Sequence, residues 1–207
     1  MSITFIIIIV TALVSIQAFN NKTLFYRLDF NPFLIEERKE WYRLFSHALL
    51  HADWWHLILN MLVLFFFGGI TQQYFEAYLG TKGILYFSLL YIGGIGFSTL
   101  PSYKKHKGNP NYHSVGASGA VSAVLFSSVI FSPSTPLCLY GILCLPGIVW
   151  AIIYLVYSYI QGKRNKGFIN HDAHLAGAIF GVLFTFISIP KSIFAFFNQI
   201  GKMLSFF

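Results

Sequence analysis

The sequence predicts an all-α membrane protein, a single domain over residues 1–207 that folds as a bundle of six transmembrane helices. Hydrophobic residues make up 56% of the 207 positions, charged residues make up only 10%, and the mean hydropathy is +0.65. About a quarter of the residues in a soluble domain are charged, so this composition indicates lipid as the solvent. Apolar runs also recur at about the 17–25 residues that a helix needs to cross a bilayer. The predicted spans are residues 3–19, 56–70, 83–100, 115–131, 137–160 and 173–189.

The first three spans are bounded by polar connections and by a proline. Residues 3–19 follow no basic segment and precede no clear cleavage site, so we expect a retained helix rather than a signal peptide. A long polar connection, residues 20–53, leads to the second span at 56–70. The third span, 83–100, is expected to end at Pro101, because proline cannot donate the next helical hydrogen bond.

The last three spans close the bundle. The fourth span, 115–131, is rich in small residues, and the fifth, 137–160, contains Pro146, which should bend or break it near its middle. The sixth span, 173–189, stops before a proline. Residues 191–207 mix phenylalanines with polar side chains, which is typical of a helix that lies at the membrane interface.

Charge and cysteine content exclude several other classes of protein. The net charge of +7 raises the possibility of nucleic-acid binding, but the basic residues lie in short segments between apolar runs, where they more often contact lipid headgroups. We therefore expect no nucleic-acid partner. Cys138 and Cys144 both lie in an apolar stretch, so we expect no disulfide framework.

A serine between small residues opens the fourth span. Residues Gly116 to Gly119 read Gly-Ala-Ser-Gly and place Ser118 at the start of a helix. This pattern alone is a weak indication of a nucleophile. Gly119, Ala123 and Ser127 recur at a spacing of four residues, and a smooth face for helix packing explains them equally well.

A histidine near the start of the sixth span shares a helix face with two glycines. His174, Gly177 and Gly181 are spaced so that they lie together, and the glycines allow a neighbouring helix to approach closely. Such an approach would bring His174 within reach of a serine on a small-faced partner, although an interfacial histidine is the commoner case. Asp172 points to the opposite side of the helix, where capping the helix start is its expected role.

Two hydrogen-bond donors open the second span. His56 and Asn60 are four residues apart and so share one side of a helix that is otherwise apolar. Both side chains can donate without carrying a formal charge, as an oxyanion stabiliser in a medium of low dielectric constant must. The alternative is that Asn60 only bonds another helix.

Taken together, these features resemble the rhomboid family of intramembrane serine proteases over nearly the whole chain. The resemblance implies a six-helix rhomboid-like bundle in which Ser118 is the nucleophile and His174 its general base. It also implies that His56, Asn60 and the backbone N–H of Ser118 bind the oxyanion. The residues that carry the resemblance are Trp41-Tyr42-Arg43, His51, His56-Leu57-Ile58-Leu59-Asn60, Gly116-Ala117-Ser118-Gly119, Ala173-His174-Leu175-Ala176-Gly177 and Gly181.

The chain departs from the family pattern at two positions. Many rhomboids carry a tyrosine one turn after the nucleophile, stacked on the catalytic histidine, whereas this chain has Ser122. The Trp-Arg motif of the first loop reads Tyr42-Arg43, with Trp41 one residue early. Arg43 and His51 are expected to support the site rather than to react.

The predicted activity is hydrolysis of a peptide bond in or near a transmembrane segment of a membrane protein by a Ser-His dyad, without a cofactor or metal ion. The expected partners are single-pass transmembrane substrates and the lipid bilayer, and the oligomeric state stays open. The first alternative is a catalytically inactive rhomboid-like protein that binds membrane helices. The second is a membrane metalloprotein that uses His47, His51, His56 and His174, and the third is a small transporter, which the absence of a repeat disfavours.

The family resemblance and the distribution of basic residues predict opposite membrane orientations. The resemblance implies a multi-pass protein of the bacterial inner membrane whose active site faces the extracytoplasmic side, and we adopt that expectation. The positive-inside rule favours the opposite orientation, because most basic residues lie in the first, third and fifth loops, on the side of the active site. These residues are Lys22, Arg27, Arg38, Lys39, Arg43, Lys104, Lys105, Lys107, Lys163, Arg164 and Lys166.

Overall fold

A computed structural model describes residues 2–139, 142–164 and 171–205, and these are mostly helical, as the sequence predicts. A two-stranded hairpin, β1 and β2, is added between α8 and α9. The elements are α1 Ile3–Phe19, α2 Lys22–Leu28, α3 Pro32–Arg38, α4 Arg43–Ser46, α5 Trp54–Val63, α6 Gly69–Leu79, α7 Gly83–His106, α8 Ser118–Phe131, β1 Pro136–Leu139, β2 Leu143–Pro146, α9 Gly147–Arg164, α10 His171–Ser188 and α11 Lys191–Leu204.

The first predicted span coincides with α1. The Ser2 side chain accepts a hydrogen bond from the Phe5 N–H and caps this helix. The helix packs against a π-helical turn, Leu64–Gly68, that joins α5 to α6. A Cβ atom on Gly68 would lie 2.6 Å from the Thr4 side chain, so a glycine is needed at this crossing.

The second and third spans are longer than predicted. The second helix begins at Trp54, capped by the Asp53 carboxylate, and continues through the π-helical turn to the end of α6. The prediction that the third span ends at Pro101 is wrong, because α7 continues through the proline to His106. The lost N–H bond is outweighed by packing, since Ser98 and Ser102, on either side of the proline, are buried.

The core of the bundle is α8, which packs against α7 and α10. Twelve of its 14 residues are buried, as expected for a helix that is apolar on all sides. The helix begins at Ser118, three residues later than predicted, because Gly116 adopts a φ of 127°, which is incompatible with a helix.

The first half of the fifth predicted span is not helical. Strands Pro136–Leu139 and Leu143–Pro146 pair antiparallel, with Cys138 opposite Cys144. A disulfide joins these two residues, contrary to the expectation of no disulfide. Tyr140 and Gly141, which the prediction placed in the helix, lie outside the described residues. Pro146 ends β2 instead of bending a helix, and α9 begins at the next residue.

The sixth predicted span coincides with most of α10, which ends before Pro190. The predicted tail helix is α11, and it is bent by 114° from α10.

Judged by length and hydropathy, one continuous helical segment within the described residues, Trp54–His106, could cross a membrane. α10 and α11 meet the same criterion only if the bent pair is counted as one span. Shorter apolar helices are Ile3–Phe19, Ser118–Phe131 and Gly147–Val156. The count of six spans therefore stays a prediction.

Candidate active site

The connection before α5 and the connection before α8 are held together by backbone hydrogen bonds. Phe30 and Ser114 each donate an N–H to the other's carbonyl, at 2.9 and 3.1 Å. The Gly116 N–H donates to the His47 carbonyl at 3.0 Å. These bonds fix the segment that leads into Ser118.

A buried ion-pair network supports the same junction. Arg43 Nη1 donates to Asp29 Oδ1 at 2.6 Å, and His113 Nδ1 lies 2.5 Å from Asp29 Oδ2. Burial raises the pKa of Asp29, against the opposing effects of His113 and Arg43. Arg43 therefore holds Asp29 within the first loop, and the contact of Asp29 with His113 ties that loop to the third loop. A buried carboxylate without these partners would be costly.

Gly116 is required by both its backbone conformation and its neighbour. Its φ of 127° lies in a region that side chains rarely tolerate. A Cβ atom here would lie 2.7 Å from His56 Cε1 and 2.9 Å from His56 Nε2. The imidazole of His56 thus packs directly on the backbone two residues before Ser118.

The hydrogen bonds of His56 indicate which nitrogen carries its proton. Nδ1 accepts from the Ala52 N–H at 3.4 Å, so in the neutral ring the hydrogen lies on Nε2. Nε2 is buried and has no hydrogen-bond partner within the described part of the chain. An N–H donor is therefore directed at the start of α8 and is available to an incoming oxygen atom.

The helices that carry Ser118 and His174 are in backbone contact. A Cβ atom on Gly177 would lie 2.1 Å from the Gly119 carbonyl oxygen, and one on Gly181 would lie 2.2 Å from the oxygen of Ala123. The contact that the small-residue pattern predicts is confirmed. Ser118 directly precedes one contact residue, and His174 lies one turn before the other.

Comparison with known proteins agrees with this arrangement. The family model described as the Rhomboid domain matches residues 38–191, which include every residue proposed for the site. The chain belongs to the rhomboid family. It is similar to RHOMBOID-like protein 1 of Arabidopsis thaliana, with 31% identity over 170 residues, or 80% of this chain. The chain spans about 39% of the length of that relative. Family membership supports an integral membrane protein.

In this rhomboid, the side chain of Asn60 is held by its own helix. Asn60 Nδ2 donates to the His56 carbonyl at 2.8 Å, and the residue is buried. This bond uses one of the two N–H groups of the amide and fixes the direction of the other.

His51 lies behind His56 rather than at the reacting centre. The Ser15 hydroxyl donates to the Leu49 carbonyl at 2.8 Å, so it accepts from His51 Nδ1 at 3.0 Å. The rings of His51 and His56 meet edge to face, with their centroids 4.9 Å apart. Burial lowers the pKa of His51 to about 3, so this ring is neutral and supports its neighbour by packing.

The histidines do not form a metal site within the described ranges, where no group of three or more His, Cys, Asp or Glu side chains could hold an ion. His47 instead packs its ring against Phe30, with centroids 5.4 Å apart. The ligand pair suggested by the spacing of His47 and His51 is therefore explained by packing and hydrogen bonding.

Sequence reasoning did not identify three residues around the site. Asp29 holds Arg43 and is itself bonded to His113, and no sequence pattern links residues so far apart. Tyr154, on α9, stacks on His174 with ring centroids 5.9 Å apart and planes inclined by 19°. The serine at position 122, where many rhomboids carry a tyrosine, was the one signal in the sequence that pointed to a ring from elsewhere.

Proposed function

We propose that this rhomboid is an intramembrane serine endopeptidase that hydrolyses a peptide bond in or near a transmembrane segment of a membrane protein. The observation that supports the proposal best is the backbone contact between Gly119 and Gly177. It brings the helix start that carries Ser118 against the turn that carries His174. Nucleophile and base must be within about 2.6–3.2 Å to exchange a proton, and only glycines permit so close a crossing.

In the proposed reaction, His174 takes the proton of the Ser118 hydroxyl as the oxygen attacks the scissile carbonyl. The negative charge that develops on the carbonyl oxygen is stabilised by the Ser118 N–H, by His56 Nε2–H and by the second N–H of Asn60. His174 then gives the proton to the leaving amine. Water hydrolyses the acyl-enzyme in a second cycle of the same proton transfers.

The proposed substrate is a single-pass membrane protein that is locally unwound at the cleaved bond. A helix protects its own peptide carbonyls by internal hydrogen bonds, so an intact transmembrane helix would resist attack. The six-span topology and a location in the bacterial inner membrane belong to the same proposal.

The test is cleavage of a purified single-pass reporter protein in detergent and in liposomes. Wild-type protein should cut the reporter, and Ser118→Ala should not, while remaining folded. Ser88→Ala serves as a matched control, because this half-buried serine donates within α7, to the carbonyl of Ile84. Cleavage by Ser118→Ala at the wild-type rate, or binding of the reporter without cleavage by the wild type, would favour the inactive helix-binding alternative.

The proposed orientation places the active site on the extracytoplasmic side. The β1–β2 hairpin follows the opposite end of α8 and would then face the cytoplasm, where disulfides rarely persist. Both the hairpin disulfide and the distribution of basic residues favour the reverse orientation.

A membrane-impermeant maleimide, applied to cells before and after permeabilisation, decides between the two orientations. Because a disulfide joins Cys138 and Cys144, a membrane-permeant reductant is added in both treatments. With the active site on the extracytoplasmic side, the two thiols should react only after permeabilisation. Labelling in intact cells would show that the hairpin lies outside and that the active site faces the cytoplasm.

A further inference from the structure

The ring of Tyr154 lies nearly parallel to the His174 imidazole and is offset from it. The two rings are stacked and offset, with centroids 5.9 Å apart, within the range of favourable aromatic pairs. His174 is 9% exposed, so this ring forms part of the enclosure around the imidazole. We propose that Tyr154 is a positioning residue that holds His174 in the orientation required for proton transfer. This inference rests on the proposed protease function.

The base needs such a partner because the neighbouring carboxylate is used elsewhere. A catalytic histidine is usually oriented by a third group, most often a carboxylate. Asp172 lies on the outer side of α10, where its carboxylate is 3.6 Å from Lys105 Nζ and about two-fifths exposed. The stacked ring of Tyr154 is therefore an uncharged contact that can orient His174, and Asp172 does not fill that role.

The Tyr154 ring is itself held from the central helix. Its hydroxyl lies 2.7 Å from the Ser122 hydroxyl, and its ring packs against Phe126 at a centroid distance of 6.0 Å. Ser122 and Phe126 are successive turns of α8, the helix that begins with Ser118. The ring that orients the base is thus anchored to the helix that carries the nucleophile.

This arrangement explains why residue 122 is small. A tyrosine at position 122 would collide with the Tyr154 hydroxyl, which already lies within hydrogen-bond distance of the serine oxygen. The two positions are therefore alternative sources of one ring. In this chain α9 supplies the ring, and α8 supplies only a hydroxyl that holds it.

A stacked ring also favours the protonated state of the base. After His174 takes the serine proton it is a cation, and the electron-rich face of an aromatic ring attracts a cation. Tyr154 should therefore act mainly on the transition state and little on substrate binding. This expectation separates a positioning role from a role in substrate docking.

The experiment compares kcat and KM for Tyr154→Leu, Tyr154→Phe and the wild type, with Ser118→Ala alongside. Tyr154→Leu should lower kcat about tenfold with KM nearly unchanged. Tyr154→Phe keeps the ring and should lose only about twofold to threefold. A wild-type kcat in Tyr154→Leu, or a loss confined to KM, would overturn the inference. If the wild type itself fails to cut, the proposed function falls, and the inference falls with it.

A double-mutant cycle tests the anchor. Ser122→Ala removes the same hydrogen bond as Tyr154→Phe, so the double variant should be no slower than either single variant. Thermal midpoints of all variants show whether a loss of kcat reflects unfolding. Losses that multiply in the double variant would show that Ser122 does not act through the tyrosine hydroxyl, and the anchoring part of the inference would be wrong.

Discussion

The contact between α8 and α10 leads to a sharp prediction for Gly177→Ala. The added Cβ would lie 2.1 Å from the Gly119 carbonyl oxygen and 2.8 Å from its carbon. Real Cβ atoms essentially never approach closer than 3.0 Å. Both clashing atoms belong to backbone, so no side chain can turn away, and the helices must separate by about 1 Å.

This displacement should affect catalysis more than folding. Overpacking of this kind typically costs about 1–3 kcal/mol of stability. A misplacement of about 1 Å between reacting groups can cost on the order of 10²-fold in rate. We therefore expect Gly177→Ala to lower the thermal midpoint by several degrees and the cleavage rate per folded molecule by about 10²-fold.

The assay measures reporter cleavage in detergent, normalised to the folded fraction from a thermal melt. Gly69→Ala is the matched control, because a Cβ atom there meets nothing within 4 Å. Since alanine also favours a helix by up to about 1 kcal/mol over glycine, this control should be at least as stable as the wild type and fully active. Full activity per folded molecule in Gly177→Ala would refute the claim that this contact sets the geometry of the dyad.

Three further predictions concern the oxyanion donors, the buried histidines and the loop network. His56→Ala should lower kcat by about 10²–10³-fold with little change in KM. Asn60→Ala should lower kcat less, because the Asn60 amide already donates one hydrogen bond to a carbonyl. Equal losses of kcat in steady-state kinetics would contradict this ranking. Burial lowers the pKa of His47 to about 4 and that of His51 to about 3. Below about pH 6.5 the unfolded chain therefore binds protons at these histidines while the folded protein does not, so the free energy of unfolding falls as the pH falls. Thermal midpoints should therefore decline from pH 6.5 to pH 4, and a flat profile would count against this. Arg43→Met should cost up to about 3 kcal/mol in denaturant titrations, because the buried Asp29 carboxylate then keeps only His113 as a partner. A loss below about 1 kcal/mol would show that the ion pair with Arg43 is dispensable.

The sequence predicts the parts of the site that lie along single helices. Gly177 and Gly181 recur at helical spacing, as do Gly119 and Ala123, and the structure confirms that these pairs meet. Such patterns can be recognised in the sequence because residues four positions apart share a helix face. The pairing of His56 with Asn60 is readable for the same reason.

The hairpin was not predictable from hydropathy. Residues 137–146 are as apolar as the helix that follows, and a short apolar run does not distinguish a strand from a helix. Pro146 was the one feature from which a break in this span was predicted. At Pro101 the error was the reverse: a helix end was predicted, but packing around the neighbouring residues keeps α7 helical.

Contacts between distant segments also could not be predicted from the sequence. Tyr154 reaches His174 from another helix, and Asp29 reaches Arg43 across the first loop. Neither contact follows a period, because each depends on how complete helices pack. We propose that these two residues orient their neighbours rather than react.

The central claim, that His174 activates Ser118, is tested most directly by labelling with a fluorophosphonate. The purified wild-type protein should acquire one adduct, which mass spectrometry of peptides should locate on Ser118. His174→Ala should remain folded and lose the labelling, because an unactivated serine hydroxyl reacts poorly with the probe. Unchanged labelling of Ser118 in His174→Ala, or an adduct on another serine, would contradict the account.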